Sequence, residues 1–274
     1  MKRFLAIILA GLMLLTLVAC GEKKDENVLK TGVLEASGVG DFRTKEHDEH
    51  VKNENLNDSL KLEHIYYNNL SAALMDLESG KIDNIRLEKC TADYVAARNE
   101  KIAVVDTLAK IDFSMMTMES NTEAYNILNN AIKDMKADGT LATLIENEVK
   151  AYINSDPEAK DLPKFDGAKT IKVGVTGDVP PMDFVAANGK AAGFNIALLT
   201  EIANRAQVNI ELVQIETGAR PMALSSNKVD AVFWTKSVTC TQCNSTAAET
   251  IESTLVTESY FSDYAATISL KVKK

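Results

Sequence analysis

Three groups of residues have the types and spacing that chemistry uses. Cys240 and Cys243 form a Cys-x-x-Cys, a spacing shared by redox pairs, half metal sites and local disulfides, so it selects none of them by itself. Asp178 and Asp183 flank Pro180-Pro181. Paired carboxylates can do acid-base work, but around a proline pair they also fit residues that shape a turn. His47 and His50 stand three apart, within ligating reach on a helix, yet they sit in the polar run "FRTKEHDEHVKNENLNDS" with no other strong ligand adjacent. That is the composition of a solvated surface. No nucleophile elbow, phosphate loop or metalloprotease motif occurs. The expectation is a protein that is not an enzyme, with no catalytic residue, no metal site and no cofactor.

The elements that would position such residues are clearest from Thr170 to Thr235. "TIKVGV" is a β-rich run closed by Gly177 and the prolines, and Phe194, Leu198 and Ile202 then recur at the four-residue spacing of one helix face. Val208, Ile210 and Leu212 alternate as in a half-buried strand, a short helical piece covers Pro221 to Ser226, and "VDAVFW" is an apolar strand. Strands alternating with helices predict an α/β fold with a largely parallel sheet.

The same pattern stands earlier in the chain. "DLESGKIDNIRL" (Asp76 to Leu87) aligns without gaps on "ALSSNKVDAVFW" (Ala223 to Trp234), matching Ser79 with Ser226, Lys81 with Lys228 and Asp83 with Asp230. "TGV" from Thr31 is a weaker echo of "VGV" from Val173. Two related α/β units are expected, with a cleft between them beyond the carboxyl ends of their strands. A strand near Leu62 to Tyr66, a helix over Asn69 to Glu78 and a strand at Ile82 to Leu87 complete the first unit's visible core. Ala103 to Val105 and Phe113 to Met118 read as two further strands, followed by two helices with Gly139 at the first one's end, where a left-handed residue is favoured.

At the start, Lys2 and Arg3 precede an apolar run from Phe4 to Ala19, short of the roughly 20 residues of a spanning helix. It reads as a secretory signal. "LVAC", ending at Cys20, resembles the bacterial lipobox, in which the cysteine becomes the lipid-modified first residue of the mature protein. The chain carries a formal net charge of −9, which disfavours nucleic acid as a partner, since phosphates demand a basic surface.

"IKVGVTGDVPPMDFVAANGKAAGFNIALLTEIANRA" with "VDAVFW" resembles the first lobe of the extracellular solute-binding proteins of ABC importers, polar amino-acid branch; "SAALMDLESGKID" and "NNAIKDMKADGTLATLI" resemble that family's second half. The resemblance implies a two-lobed, type II periplasmic-binding-protein-like fold with a ligand cleft between lobes. In the family the "IKVGV" segment comes first and the "DGTL" helix last; here the order is reversed, as if the chain were circularly permuted. The implied organisation is a signal peptide over 1–19 and a lipid-anchored tether over 20–27. A first lobe (28–108) corresponds to the family's second. A crossing strand and helices (109–153) pack on the other lobe, 154–169 is a linker rich in charge with Pro157, Pro163 and Gly167, and the second lobe (170–274) corresponds to the family's first. With one family crossing cut at the new ends, a single covalent connection near Val104 to Phe113 is expected to join the lobes.

The resemblance also implies ligand residues, position by position. Glu88 falls where the family's carboxylate binds a ligand ammonium. Gln242 falls where an arginine clamps the ligand carboxylate, so that bidentate fork is missing. Thr217 falls at a usually aromatic position and Val179 near another, and Trp234 occupies a usually small, pocket-lining one, where it serves as pocket wall or as core. Thr235 and Ser237 offer hydroxyls, a ligand loop lies near Ser37, and Arg220 and Lys236 are replacement cations unless Arg220 is a solvated helix-start residue. Outside the cytoplasm, Cys240 and Cys243 are expected to be disulfide-bonded, with Cys90 free. The implied function is capture of a small polar, amine-bearing or amino-acid-like solute for the membrane subunits of an ABC importer, by a protein held through lipid at Cys20 on the outer face of the cell membrane. The alternative is a signalling or accessory module with a diverged pocket.

Overall fold

A computed structural model describes residues 27–34, 60–240 and 245–271 of the chain. The first strands are β1 (Val28–Leu34) and β2 (Lys61–Tyr67), followed by helix α1 (Leu70–Glu78), β3 (Asn84–Glu88), helix α2 (Lys89–Arg98) and the long β4 (Ile102–Met118). Helices α3 (Thr122–Ala137) and α4 (Thr140–Ile145) precede β5 (Thr170–Val175) and a small antiparallel sheet of β6 (Asp178–Val179), β7 (Asp183–Val185) and β8 (Ala191–Ala192). The chain continues with α5 (Phe194–Ala206), β9 (Asn209–Gln214), α6 (Arg220–Ser225), β10 (Ala231–Cys240), β11 (Ser245–Ala248), β12 (Thr254–Val256) and β13 (Phe261–Leu270).

Local chemistry accounts for the helices. Asn69 accepts a hydrogen bond from the Ala72 N–H and starts α1, which buries Leu70, Ala73 and Leu77. Asn121 caps α3 in the same way, through Ala124 N–H. The buried stripe Ala124, Leu128, Ala131, Ile132 and Met135 seats α3, and Gly139, at φ +81°, breaks it from α4.

The strands form one sheet in the order β2-β1-β3-β13-β4-β10-β5-β9, with β11 on β10 and β12 on β4. The sheet is mixed, not largely parallel as the alternation of elements predicts. β1 pairs in parallel with β2 and β3, and β5 with β9 and β10, but β4 and β13 run antiparallel to their neighbours. The two strands expected around residues 103–118 are one continuous strand, β4.

The repeat is real in three dimensions. Asp83 and Asp230 make the same clamp: each carboxylate accepts a 2.8 Å bond from the backbone N–H of a lysine, Lys30 in β1 or Lys172 in β5, and each aspartate N–H donates back to that lysine's carbonyl at 2.8 Å. Gly32 and Gly174 are also equivalent, with Gly32 opposite Ile85 and Gly174 opposite Val232. A Cβ at either would press on an isoleucine tip, Ile82 at 2.8 Å or Ile215 at 2.5 Å. By this correspondence β3 matches β10, and Glu88 matches Thr235.

Two passages, not one, join the halves. β4 leaves the first half to pair with β10, and β13 returns from the second to lie between β3 and β4. The segment 154–169 is held against the second half: Ala159 bridges Ala192, Lys160 N–H donates to Ala191 O, and Asn209 binds Phe165 N–H and the Phe165 and Ala168 carbonyls at 2.8, 3.0 and 3.3 Å. Asn209→Ala should release this segment, at roughly 1 kcal/mol per lost bond, and speed limited proteolysis within 157–169. An unchanged cleavage rate would show that the other contacts suffice.

Candidate ligand-binding site

The carboxyl end of β3 and the middle of β10 supply most of the polar groups expected to act. Glu88 is the last residue of β3, where the backbone turns into α2, and it has no solvent exposure. Lys236 of β10 lies directly opposite Phe113 of β4, which lies opposite Phe261 of β13. These three form one row across the sheet, and from it the Lys236 ammonium reaches Glu88 Oε1 at 2.7 Å. Both side chains of this pair are fully buried.

Trp234 is buried and sits at a break in the β4–β10 register between Val232 and Thr235, with φ +68°. A bulky residue in the left-handed region is strained, and here the bulge re-aims the indole. Its ring meets Phe113 edge-on at 5.2 Å, and the Lys236 ammonium stands 5.4 Å from both ring centroids. Phe113 stacks on Phe261, which touches Phe194, and Phe194 and Phe233 both contact Tyr260.

Arg220 is not solvated. It is buried at the first position of α6, donates to the Phe233 carbonyl at 3.0 Å and pairs with Glu249 at 3.3 Å. Burial pulls the Lys236 ammonium and the Arg220 guanidinium down in pKa, opposed by Glu88 and Glu249 respectively. Desolvation likewise raises Asp178, Asp183 and Asp263 toward their neutral forms. Asp183 accepts from the Thr176 N–H at 2.9 Å and its hydroxyl at 3.2 Å, closing the end of β5. It shapes a turn.

Thr235 is buried, and strand alternation puts it and the half-buried Ser237 on the face of β10 opposite Lys236. Val179 is buried. Thr217 lies in a 3-10 turn, Thr217–Ala219. Cys20, Ser37, His47, His50, Gln242 and Cys243 lie outside the described residues, and Cys240 is placed by its backbone alone. Cys90 is a buried free thiol whose N–H donates to Asp263. Among the described residues, no cluster of three His, Cys, Asp or Glu could hold a metal ion.

Buried polar atoms in this region with no hydrogen-bond partner among the described residues include Glu88 Oε2, Trp234 Nε1, Thr235 Oγ1 and the Tyr260 hydroxyl. Each such group costs about 1–3 kcal/mol unless something satisfies it. The Lys236–Glu88 pair was the part that sequence reasoning missed. The sequence offers Lys236 only as a replacement cation, because the register that brings it to Glu88 depends on β13 and β4. A separate surface groove of about 560 Å³ lies between α3 and α5, lined by residues including Glu123, Asn126, Asn130, Asp134 and Arg205. It shares none of its lining with the buried site.

Residues 171–253 match a protein family described as bacterial extracellular solute-binding proteins, family 3. No curated protein matches the sequence. Similar solved structures include the ligand-binding component of an ABC-type import system from Staphylococcus aureus (11% identity, TM-score 0.39, 89% of this chain and 66% of that one). The periplasmic aliphatic sulphonate-binding protein SsuA from Escherichia coli is 10% identical, with TM-score 0.40 over 90% of this chain and 62% of that one. The GluR0 ligand-binding core complexed with L-glutamate is 13% identical, with TM-score 0.42 over 90% and 86%. The chain thus spans less than two thirds of the first two. Its own strand order is that of a two-lobed α/β fold, two equivalent halves exchanging β4 and β13.

Proposed function

We propose that the chain is a non-enzymatic, extracytoplasmic solute-binding protein that captures a small polar solute between its halves and presents it to the membrane subunits of an ABC importer. The observation that carries this reading is a pair of unpartnered buried atoms from the two halves, Glu88 Oε2 at the end of β3 and Trp234 Nε1 at the bulge of β10. A solute satisfying groups from both halves would favour the arrangement in which they meet, which is population shift toward a closed state. The family match over 171–253 supports the class. An amine requirement, expected from Glu88, must contend with Lys236, which already holds Oε1.

The permuted order belongs to the same reading. Because the halves are equivalent and each lends the other a strand, a chain can begin in either half and leave the strand neighbours unchanged. In this reading Ser37, Ser237, Gln242, Thr217 and Arg220 also contribute to ligand binding, Cys240 and Cys243 form a disulfide, and the mature chain is anchored by lipid at Cys20. Among the described residues, no helix is long and apolar enough to cross a membrane.

Two experiments test the proposal. A metabolite screen should find a solute that stabilises the protein by about 2.7 kcal/mol at 100 times its dissociation constant, recovered unchanged by mass spectrometry. If no metabolite shifts Tm and none copurifies, the accessory-module reading gains, and the aromatic filling around Phe113 and Trp234 already favours it. For the anchor, Cys20→Ala should abolish lipid labelling and membrane retention, since stable anchoring takes two acyl chains; retention of the label would refute it.

A further inference from the structure

Glu88 ends β3 in the first half and Lys236 lies in β10 of the second, with β13 and β4 between them in the sheet. Their 2.7 Å contact has no solvent exposure, and the rings of Phe113 and Trp234 flank the ammonium at 5.4 Å. A carboxylate beside two aromatic faces is the chemistry that receives an organic cation. As a stabilising device the pair is a poor choice, because desolvating two charges offsets their attraction and apolar residues of the same volume pack as well.

We propose that Glu88, Phe113 and Trp234 form an ammonium-receiving box whose resident is the chain's own Lys236, so that the halves are latched without solute and the solute captured carries no ammonium. The inference rests on reading the end of β3 and the bulge of β10 as the site. The free atoms left for a solute on this face are then one carboxylate oxygen and the indole N–H. These suit a neutral hydrogen-bonding molecule.

The test is chemical rescue. Lys236→Ala removes the atoms of n-propylammonium, and that ion, added as its chloride, should refill the box. At ten times its dissociation constant it should raise the folding equilibrium constant of Lys236→Ala about elevenfold, against a sodium chloride control of equal ionic strength. Wild type and Glu88→Gln/Lys236→Ala should not respond. Equal responses in all three proteins, or none in the folded Lys236→Ala protein, would overturn the proposal. If Lys236→Ala does not fold even with the ion present, Glu88→Gln/Lys236→Met decides: solution scattering should show a larger radius of gyration than wild type, and an unchanged profile would remove the latch. Rescue needs neither solute nor importer. Its failure therefore leaves solute capture standing, and a fruitless metabolite screen leaves the box standing.

Discussion

Lys236→Met should lower the unfolding free energy by about 3–5 kcal/mol, the usual consequence of leaving one charge of a buried pair alone. In that variant the Glu88 carboxylate faces Phe113 and Trp234 with no cation. Glu88→Gln should also destabilise, since it removes the 2.7 Å carboxylate partner of the Lys236 ammonium. The double variant Glu88→Gln/Lys236→Met should lose far less than the two losses added, because no unpaired charge remains. Urea unfolding of the four proteins closes the cycle, and a shared m-value would show that only stability changed. Additive losses would mean that each charge has another strong partner and that the 2.7 Å contact contributes little to the fold.

Gly193→Ala should be the most damaging of the single-methyl additions. Gly193 precedes α5 with φ +91° and ψ −174°, a region essentially reserved for glycine. An added Cβ would stand 2.3 Å from the Pro181 carbonyl oxygen and 2.9 Å from that of Met182. Those carbonyls accept the first helical N–H groups, from Phe194 at 3.2 Å and Asn195 at 2.9 Å, so the backbone cannot retreat without unlatching the helix start. A loss of about 3 kcal/mol is expected, the strained dihedral alone accounting for about 1–3 kcal/mol. Gly174→Ala is the informative contrast. There the nearest atom is the flexible Cδ1 tip of Ile215 at 2.5 Å and φ is ordinary, so about 1 kcal/mol is expected. Equal denaturation midpoints for the two variants would refute this ranking.

What the sequence could reveal followed the range of each interaction. Asp83 and Asp230 were legible because their clamp is local to a repeated strand-helix-strand unit, and the repeat displays it twice. Helix α3 was legible from its stripe. Helix α2 was not, because its buried residues Cys90, Thr91, Ala92, Tyr94 and Val95 mix small and polar types with few large apolar ones to set a period. Strand β13, "FSDYAATISL", was also missed: its buried residues do not alternate cleanly, and its register breaks twice against β4. Without β13 the row Lys236, Phe113 and Phe261 could not be drawn, so Glu88 looked available to a ligand. The same omission made one crossing look sufficient, since a crossing strand is defined by partners far away in the chain.

The insertion of β13 between β3 and β4 bears on how the chain is made. During synthesis from the N-terminus, β1, β2 and β3 can assemble early, but the free edge of β3 must wait for residues 265–269, nearly two hundred positions later. Until then the first half presents an unpaired edge carrying Ile85 and Leu87, the kind of surface on which nascent chains stick to one another. Neither half is therefore a folding unit in its own right, and a ribosome stalled before β13 would hold a polypeptide whose first sheet has no means of closing.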